Sequence, residues 1–229
     1  MNNPENYPRI TVLICTLNEA ENLPYVLPKI PQWVYEILLV DGHSTDRTVE
    51  VAEEICPEIK VLYQSGKGKG DALRCGIEHA SGDIIVTLDA DGSTNPEELP
   101  KFIDPLLNGY DFAKGSRFAL GLPQDKPWHR ILGNRAITLT FNILFCKKYT
   151  DLCSGYYAFW RTRVAGIELL SSDGYENEPL INTRVSKIGL KVIEVPHIDR
   201  GRFEGDSKEL SWRQGFKAIK SIIRERFRG

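Results

Sequence analysis

Asp83-Ile84-Ile85-Val86-Thr87-Leu88-Asp89-Ala90-Asp91-Gly92-Ser93 is the stretch from which the rest of the chain can be read. Its first half is apolar on both faces, as in a central strand covered by helices on both sides. Its second half places two carboxylates two residues apart where that strand ends. A glycine follows, then a helical pattern over Pro96 to Leu107 with proline just inside its start. Upstream, Ile10 to Cys15, Tyr35 to Val40 and Ile59 to Tyr63 have the same strand character. Between them, Asp46 to Ile55 reads as a helix capped by Ser44 or Thr45, and Lys69 to Ala80 as one with Leu73, Ile77 and Ala80 on one face. This alternation predicts an α/β fold with a mostly parallel central sheet flanked by helices. Ligands of such sheets lie at the carboxyl ends of the strands.

After Gly115 the rhythm breaks. A loop spans Leu120 to Pro127, a long helical pattern Trp128 to Phe145, and a glycine- and aromatic-rich segment Ser154 to Trp160. A strand signal returns at Leu190 to Val195, and the tail from Leu210 to Arg228 is helical. The 229 residues, 41% apolar and 26% charged, suit one large domain and exclude disordered, collagenous and coiled-coil chains. The net charge of −2 divides unevenly: residues 1–110 hold 8 basic and 18 acidic side chains, residues 111–229 hold 21 and 13. The whole-chain balance of 29 basic against 31 acidic residues argues against a nucleic-acid partner. Five cysteines without C-x-x-C spacing suggest neither a disulfide framework nor a thiolate zinc site. The start lacks a basic region followed by an apolar one, and Ala136 to Cys146 falls short of the roughly 20 residues of a membrane span. The expectation is a cytoplasmic protein.

Asp89 and Asp91 are hard oxygen donors suited to Mg2+ or Mn2+, which keep open positions for the oxygens of a nucleoside diphosphate. Acidic pairs also occur in turns as local caps, so the pair alone leaves both readings open. Other segments fall at strand ends: Thr16-Leu17-Asn18-Glu19-Ala20-Glu21-Asn22, Asp41-Gly42-His43-Ser44-Thr45-Asp46-Arg47-Thr48 and Lys67-Gly68-Lys69-Gly70-Asp71-Ala72. Arg117, Arg130 and Arg202 lie in the basic half and are suited to gripping phosphate.

Taken in order, these segments resemble glycosyltransferase family 2, inverting enzymes of GT-A fold, and within it the dolichyl- or polyprenyl-phosphate sugar (mannose or glucose) synthases. The patterns T-x-N-E-x-x-N, D-G-S-x-D-x-T, G-K-G-x-A, D-A-D and G-S-R are met from Thr16 to Arg117. His43 is inserted in the second, and Ser93 stands where Gln is common. Asp151-Leu152-Cys153-Ser154-Gly155-Tyr156 resembles the family's D-x-x-S-G-F/Y, and Arg202 to Lys208 its R-x-x-G-x-S-K.

The resemblance implies a single GT-A domain over 1–229, with a Rossmann-like nucleotide-sugar half at about 8–117 and an acceptor half at about 118–229. It implies that Thr16, Asn18 and Glu19 hold ribose and base, that Val40 and Asp41 meet the base edge, and that Lys69 and Asp71 flank the nucleotide. Asp89, Ala90 and Asp91 would bind ribose and the metal, Mg2+ or Mn2+. The donor would be a UDP-, GDP- or dTDP-sugar. The acceptor would be a polyprenyl phosphate, its anion held by Arg117, Arg130, Arg202, Ser207 and Lys208. An alcohol acceptor would need a general base, which a phosphate does not; Asp151 is the first candidate, Glu176 or Glu178 the next. Trp212, Phe216, Ile219, Ile223 and Phe227 recur at helical spacing opposite Arg213, Lys217, Lys220, Arg224, Arg226 and Arg228, a basic amphipathic helix suited to the cytoplasmic face of a membrane or to packing on the core. A soluble acceptor is the alternative within the family, and a non-catalytic nucleotide-sugar-binding protein the alternative outside it.

Overall fold

The computed structural model describes residues 7–121, 127–164, 177–205 and 212–228. The amino-terminal half alternates as its sequence predicts: β1 (Ile10–Thr16), α1 (Leu23–Val26), β2 (Glu36–Asp41), α2 (Thr48–Ile55), β3 (Lys60–Tyr63), α3 (Gly68–His79), β4 (Ile84–Asp89) and α4 (Leu99–Leu107). Then come β5 (Phe112–Ser116), α5 (Trp128–Phe145), β6 (Tyr157–Trp160), α6 (Arg161–Val164), α7 (Asn177–Lys187), β7 (Val192–Pro196) and α8 (Trp212–Phe227). One seven-stranded sheet in the order β3-β2-β1-β4-β6-β5-β7 joins both halves. It is parallel except at β6, which runs antiparallel to β4 and β5.

Alternation along the strands sorts side chains to two faces. Val12 and Ile14 of β1, with Leu39, Val86 and Leu88, pack beneath Leu99, Phe102, Ile103 and Leu106 of α4 and Ala52 of α2. Leu13, Leu38, Val40 and Ile85 turn the other way, onto Ala72 and Leu73 of α3 and Ile181 and Val185 of α7. A third cluster closes α8 on α5 through Ala218 and Ile222 against Ile137, Phe141 and Leu152. The turn of α8 that meets the protein is therefore one step round from the row the sequence picked out: Ala218 and Ile222 are buried, while Phe216 and Phe227 remain 70% and 77% exposed. Among the described residues, no helix is long and apolar enough to cross a membrane.

Neither Ser44 nor Thr45 caps α2. Asp46 does the local work, its Oδ1 accepting from Thr48 N at 3.0 Å. The expected helix from Pro96 opens instead as a 3-10 turn over Pro96–Glu98, capped by Asn95 Oδ1 accepting from Glu97 N at 3.3 Å, and becomes α-helical at Leu99. The switch from leftward to rightward strand order falls between β1 and β4, and the register there sets Thr16 beside Asp41 and Cys15 beside Asp89. This crevice is where an open α/β sheet takes its ligand.

Candidate active site

Two loops at the carboxyl edge are laced together by short polar side chains. Thr16 Oγ1 donates to Asp41 Oδ1 (3.1 Å), and Ser44 donates to the same carboxylate through N and Oγ (2.7 and 2.6 Å). Asn18 Oδ1 accepts from Thr45 N (2.8 Å), and Thr48 Oγ1 accepts from Glu19 N (2.8 Å). The inserted His43 takes a left-handed turn (φ 63°) that lets the loop fold back onto Asp41, and its Nε2 lies 2.8 Å from Gln64 O. Thr16, Asn18 and Asp41 thus form one ledge. Val40 and Ala90 send their side chains into the core clusters, leaving only backbone at the edge.

The second ledge is the Asp89-Ala90-Asp91 turn. Lys69, from the first turn of α3, places Nζ 2.6 Å from Asp89 Oδ1 and 3.0 Å from Glu178 Oε1. Burial opposes the charge on this ammonium, but the two carboxylates outweigh it and hold the group well above the usual lysine range. Asp71, two residues on, does not join them. Its carboxylate braces the preceding glycine loop, accepting from Gly66 N at 2.6 Å and from Arg74. Asp91 Oδ1 accepts from Ser93 N (3.0 Å). Gly92 sits at φ +81°, and a Cβ there would lie 2.0 Å from the Phe203 ring, so glycine is required twice over.

Phe203 belongs to a strap, residues 200–204, that crosses this turn. Its N donates to Asp91 O, Arg200 N donates to Ser93 O (both 3.1 Å), and the Phe203 ring stacks on Tyr25 at 4.8 Å. Glu204 N donates to Asn22 Oδ1 at 2.9 Å, and Arg202 grips Glu19 at 2.8 and 2.7 Å. Glu19 and Arg202, assigned by sequence to different ligands, are thus each other's partners here.

The expected acceptor groups divide. Arg117 is held by Asp151 through Nε (2.6 Å) and Nη2 (3.0 Å), with Asp199 3.5 Å from Nη1. Asp151 is fully buried and also accepts from Asn134 Nδ2 (2.8 Å) and Cys153 N (2.9 Å). Burial alone would raise its carboxyl, but the Arg117 guanidinium prevails and holds it far below the usual range. A carboxylate so held binds a proton weakly, which counts against the role of base that an alcohol acceptor would ask of Asp151. Arg130 is half-buried in the first turn of α5. Ser207, Lys208 and Glu176 lie outside the described residues.

Three partners escaped the sequence reading. Lys114, fully buried, donates to Asp151 O and to Glu194 Oε1 at 2.9 Å beneath the Arg117 pair. His197 Nε2 lies 3.0 Å from Ser154 Oγ; burial, with Arg117 nearby, pushes its imidazole down. Asp199 completes the cage of Arg117. Only Ser154 stood in a recognised motif, because the others are single residues brought in by β5 and β7.

Asp89 Oδ2 and Asp91 Oδ2 accept no hydrogen bond from the described residues, and no group of three His, Cys, Asp or Glu side chains suited to a metal forms among them. Two hard oxygens without a closed cage fit a cation that keeps water and phosphate among its ligands.

The family model "Glycosyl transferase family 2" matches residues 11–165. The chain is 35% identical to a dolichol-phosphate mannosyltransferase of Pyrococcus furiosus, over 94% of this chain and 63% of that one. It is 32% identical to a polyprenol monophosphomannose synthase of Mycolicibacterium smegmatis, over 87% and 80%. Of the Haloferax volcanii glycosyltransferase AglJ, 34% identical over 88% of this chain, it spans 66%, so the chain covers about two thirds of the length of this relative and of the Pyrococcus one. The fold matches the crystal structure of glucosyl-3-phosphoglycerate synthase from Mycobacterium tuberculosis in complex with Mn2+, uridine diphosphate and phosphoglyceric acid: TM-score 0.72, 23% identity, 97% of this chain and 80% of that one. The seven-stranded α/β sheet is accordingly the GT-A fold, and the chain belongs to glycosyl transferase family 2.

Proposed function

We propose that this protein transfers a sugar, with inversion, from a nucleoside diphosphate sugar to a polyprenyl phosphate at the cytoplasmic face of a membrane. The observation that carries the acceptor class is the state of Asp151 and Glu178, the described carboxylates that the sequence offered as base for an alcohol acceptor. Asp151 is caged by Arg117, and Glu178 is paired with Lys69. An alcohol acceptor needs such a base, whereas a phosphate arrives already anionic. The relatives named as mannosyltransferases of dolichol and polyprenol phosphates point the same way.

The ledge of Thr16, Asn18 and Asp41 would receive base and ribose, partly through backbone at Val40 and Ala90. Asp89 and Asp91 would hold Mg2+ or Mn2+, which when bound neutralises the diphosphate and makes the nucleotide a better leaving group. Arg202, carried over the same turn by the strap, would meet the acceptor's anion together with Arg130, Ser207 and Lys208. Arg117, with Asp151 behind it, would supply fixed positive potential more than a free grip. Proximity and charge would carry the step.

The membrane seat rests on α5 and α8. Leu139 and Ile143 of α5, at 59% and 68% exposed, and Phe216 and Phe227 of α8 leave apolar side chains at the surface of both helices, which also expose Arg135, Arg213, Lys217 and Arg224, with Lys147 and Lys148 just beyond α5. Apolar residues edged by cations fit an anionic bilayer.

The test is nucleotide release from UDP-, GDP- and dTDP-sugars with Mn2+ or Mg2+, with and without a short polyprenyl phosphate. Release from one donor, stimulated by the lipid phosphate, is the expected result. Donor-specific release indifferent to it would transfer the reading to a soluble acceptor, and no release from any donor to a binding protein.

A further inference from the structure

Lys69 joins three separate elements in one row of alternating charge: Asp89 at the end of β4, the ammonium in the first turn of α3, and Glu178 in the first turn of α7. The row is closed from above by Gly155, where a Cβ would lie 2.8 Å from Lys69 Nζ and 3.1 Å from Asp89 Oδ2. Gly155 is itself pinned, its carbonyl accepting from Thr87 Oγ1 at 2.7 Å. The first turn of α7 is fastened by Asn182 Nδ2, which donates to Glu178 O at 2.9 Å and to Leu152 O at 3.2 Å. The ammonium therefore bonds two carboxylates, of which Asp89, at the end of β4, is the one paired in sequence with Asp91 at the crevice.

This arrangement sets a conflict that Glu178 resolves. A lysine bonded to Asp89 Oδ1 holds the carboxylate in one orientation and leaves Oδ2 without a hydrogen bond from the described residues, but its charge also repels any cation approaching Oδ2. At these separations the interaction of unit charges is large even when screened by protein. A second carboxylate bonded to the same ammonium offsets that repulsion without having to occupy a place at the cation. We propose that Glu178 is a positioning residue: by sharing the charge of Lys69 it keeps Asp89 oriented by a lysine yet attractive to a divalent cation. The inference rests on the reading that Asp89 and Asp91 hold such a cation, and it gives Glu178 a role that requires no contact with substrate.

The experiment measures Mn2+ affinity of the full chain directly, by the electron paramagnetic resonance signal of free Mn2+, with neither donor nor acceptor present. Glu178→Gln removes the offsetting charge and should weaken Mn2+ binding on the order of tenfold. Lys69→Met removes the repelling charge and should tighten it. The double variant should bind more tightly than Glu178→Gln alone. Opposite signs separate this role from a purely structural one, in which both single variants would weaken binding in step with a fall in melting temperature. Should Glu178→Gln not fold, Lys69→Met decides alone, and weaker binding by it overturns the proposal. Asp91→Asn tests the underlying reading: if it leaves the affinity unchanged, the cation site falls and the role of Glu178 with it. Loss of affinity in Asp91→Asn with wild-type affinity in Glu178→Gln overturns the positioning role only.

Discussion

Arg117 and Asp151 show how a residue's partners decide its chemistry. Each lies in a motif visible in the sequence, yet a separation of 34 positions hid that they face one another, and with it that the carboxylate offered as a base for an alcohol acceptor is paired to a guanidinium. The pairing has a consequence for stability. In Asp151→Asn the Arg117 guanidinium stays buried beside a neutral amide, which should cost about 3–5 kcal/mol in urea unfolding at pH 7. A residue acting only as a base would leave the unfolding midpoint in place. The carboxyl is held far below its ordinary range, so the pair's contribution is present in full above that range and declines as the pH falls toward the depressed value. Gly92 is legible in the opposite sense: a glycine after two aspartates marks a turn, but only the Phe203 ring against it explains why no side chain fits. Gly92→Ala should destabilise the protein by about 1–3 kcal/mol, through a strained backbone and an evicted ring, and calorimetry with the intact chain checks it.

At the scale of elements, Glu36 ties the amino-terminal edge of the sheet together. Its carboxylate, at the start of β2, accepts from Thr11 Oγ1 on β1 (2.6 Å), from Lys60 Nζ on β3 (2.6 Å), and from Ser81 N and Oγ in the turn before β4 (2.9 and 2.8 Å). Burial would raise the carboxyl, but these donors outweigh it and bring it from 4.5 down to about 2. A depressed carboxyl stabilises fully above its unfolded value and loses that contribution as the pH falls through the folded one. Urea midpoints of wild type and Glu36→Gln should therefore differ by on the order of 2 kcal/mol at pH 7 and converge toward pH 2. The strands so tied were readable because they are β-branched apolar runs with helical patterns between them. β6 was not, because Tyr157-Ala158-Phe159-Trp160 lacks β-branched residues and its neighbours in the sheet come from β4 and β5. α7 was missed for a related reason: Asn182, Thr183 and Arg184 are buried polar residues, and a helix buried on its polar side shows no apolar stripe. The capping of α2 failed as a prediction because Ser44 and Thr45 are drawn to Asp41 and Asn18 on the neighbouring loop.

The whole molecule separates its charges as the sequence arithmetic says, but its shape decides what the basic half can do. The regular spacing of Trp212, Phe216, Ile219, Ile223 and Phe227 predicted one apolar row, open either to the core or to a bilayer. Folding divides that choice. Ala218 and Ile222 enter the α5 cluster with Ile219 packed against it, and Arg226 Nε donates to Leu144 O (2.9 Å), so α8 is fastened to the protein. Phe216, Ile223 and Phe227 stay outside, as do Leu139 and Ile143 of α5. Because α8 is anchored by other residues, Phe216→Ser/Phe227→Ser should leave the unfolding midpoint unchanged. If the row seats on lipid, two aromatic side chains each worth about 1.5–3 kcal/mol on burial are lost, and co-sedimentation with vesicles rich in anionic phospholipid should fall at least tenfold. Wild-type binding should also weaken when salt is raised from 0.05 M to 0.5 M, since the flanking lysines and arginines are exposed and screened. Vesicle binding equal in wild type and double variant would mean that the row faces something other than a bilayer. The lipid phosphate would then have to reach Arg202 from solution.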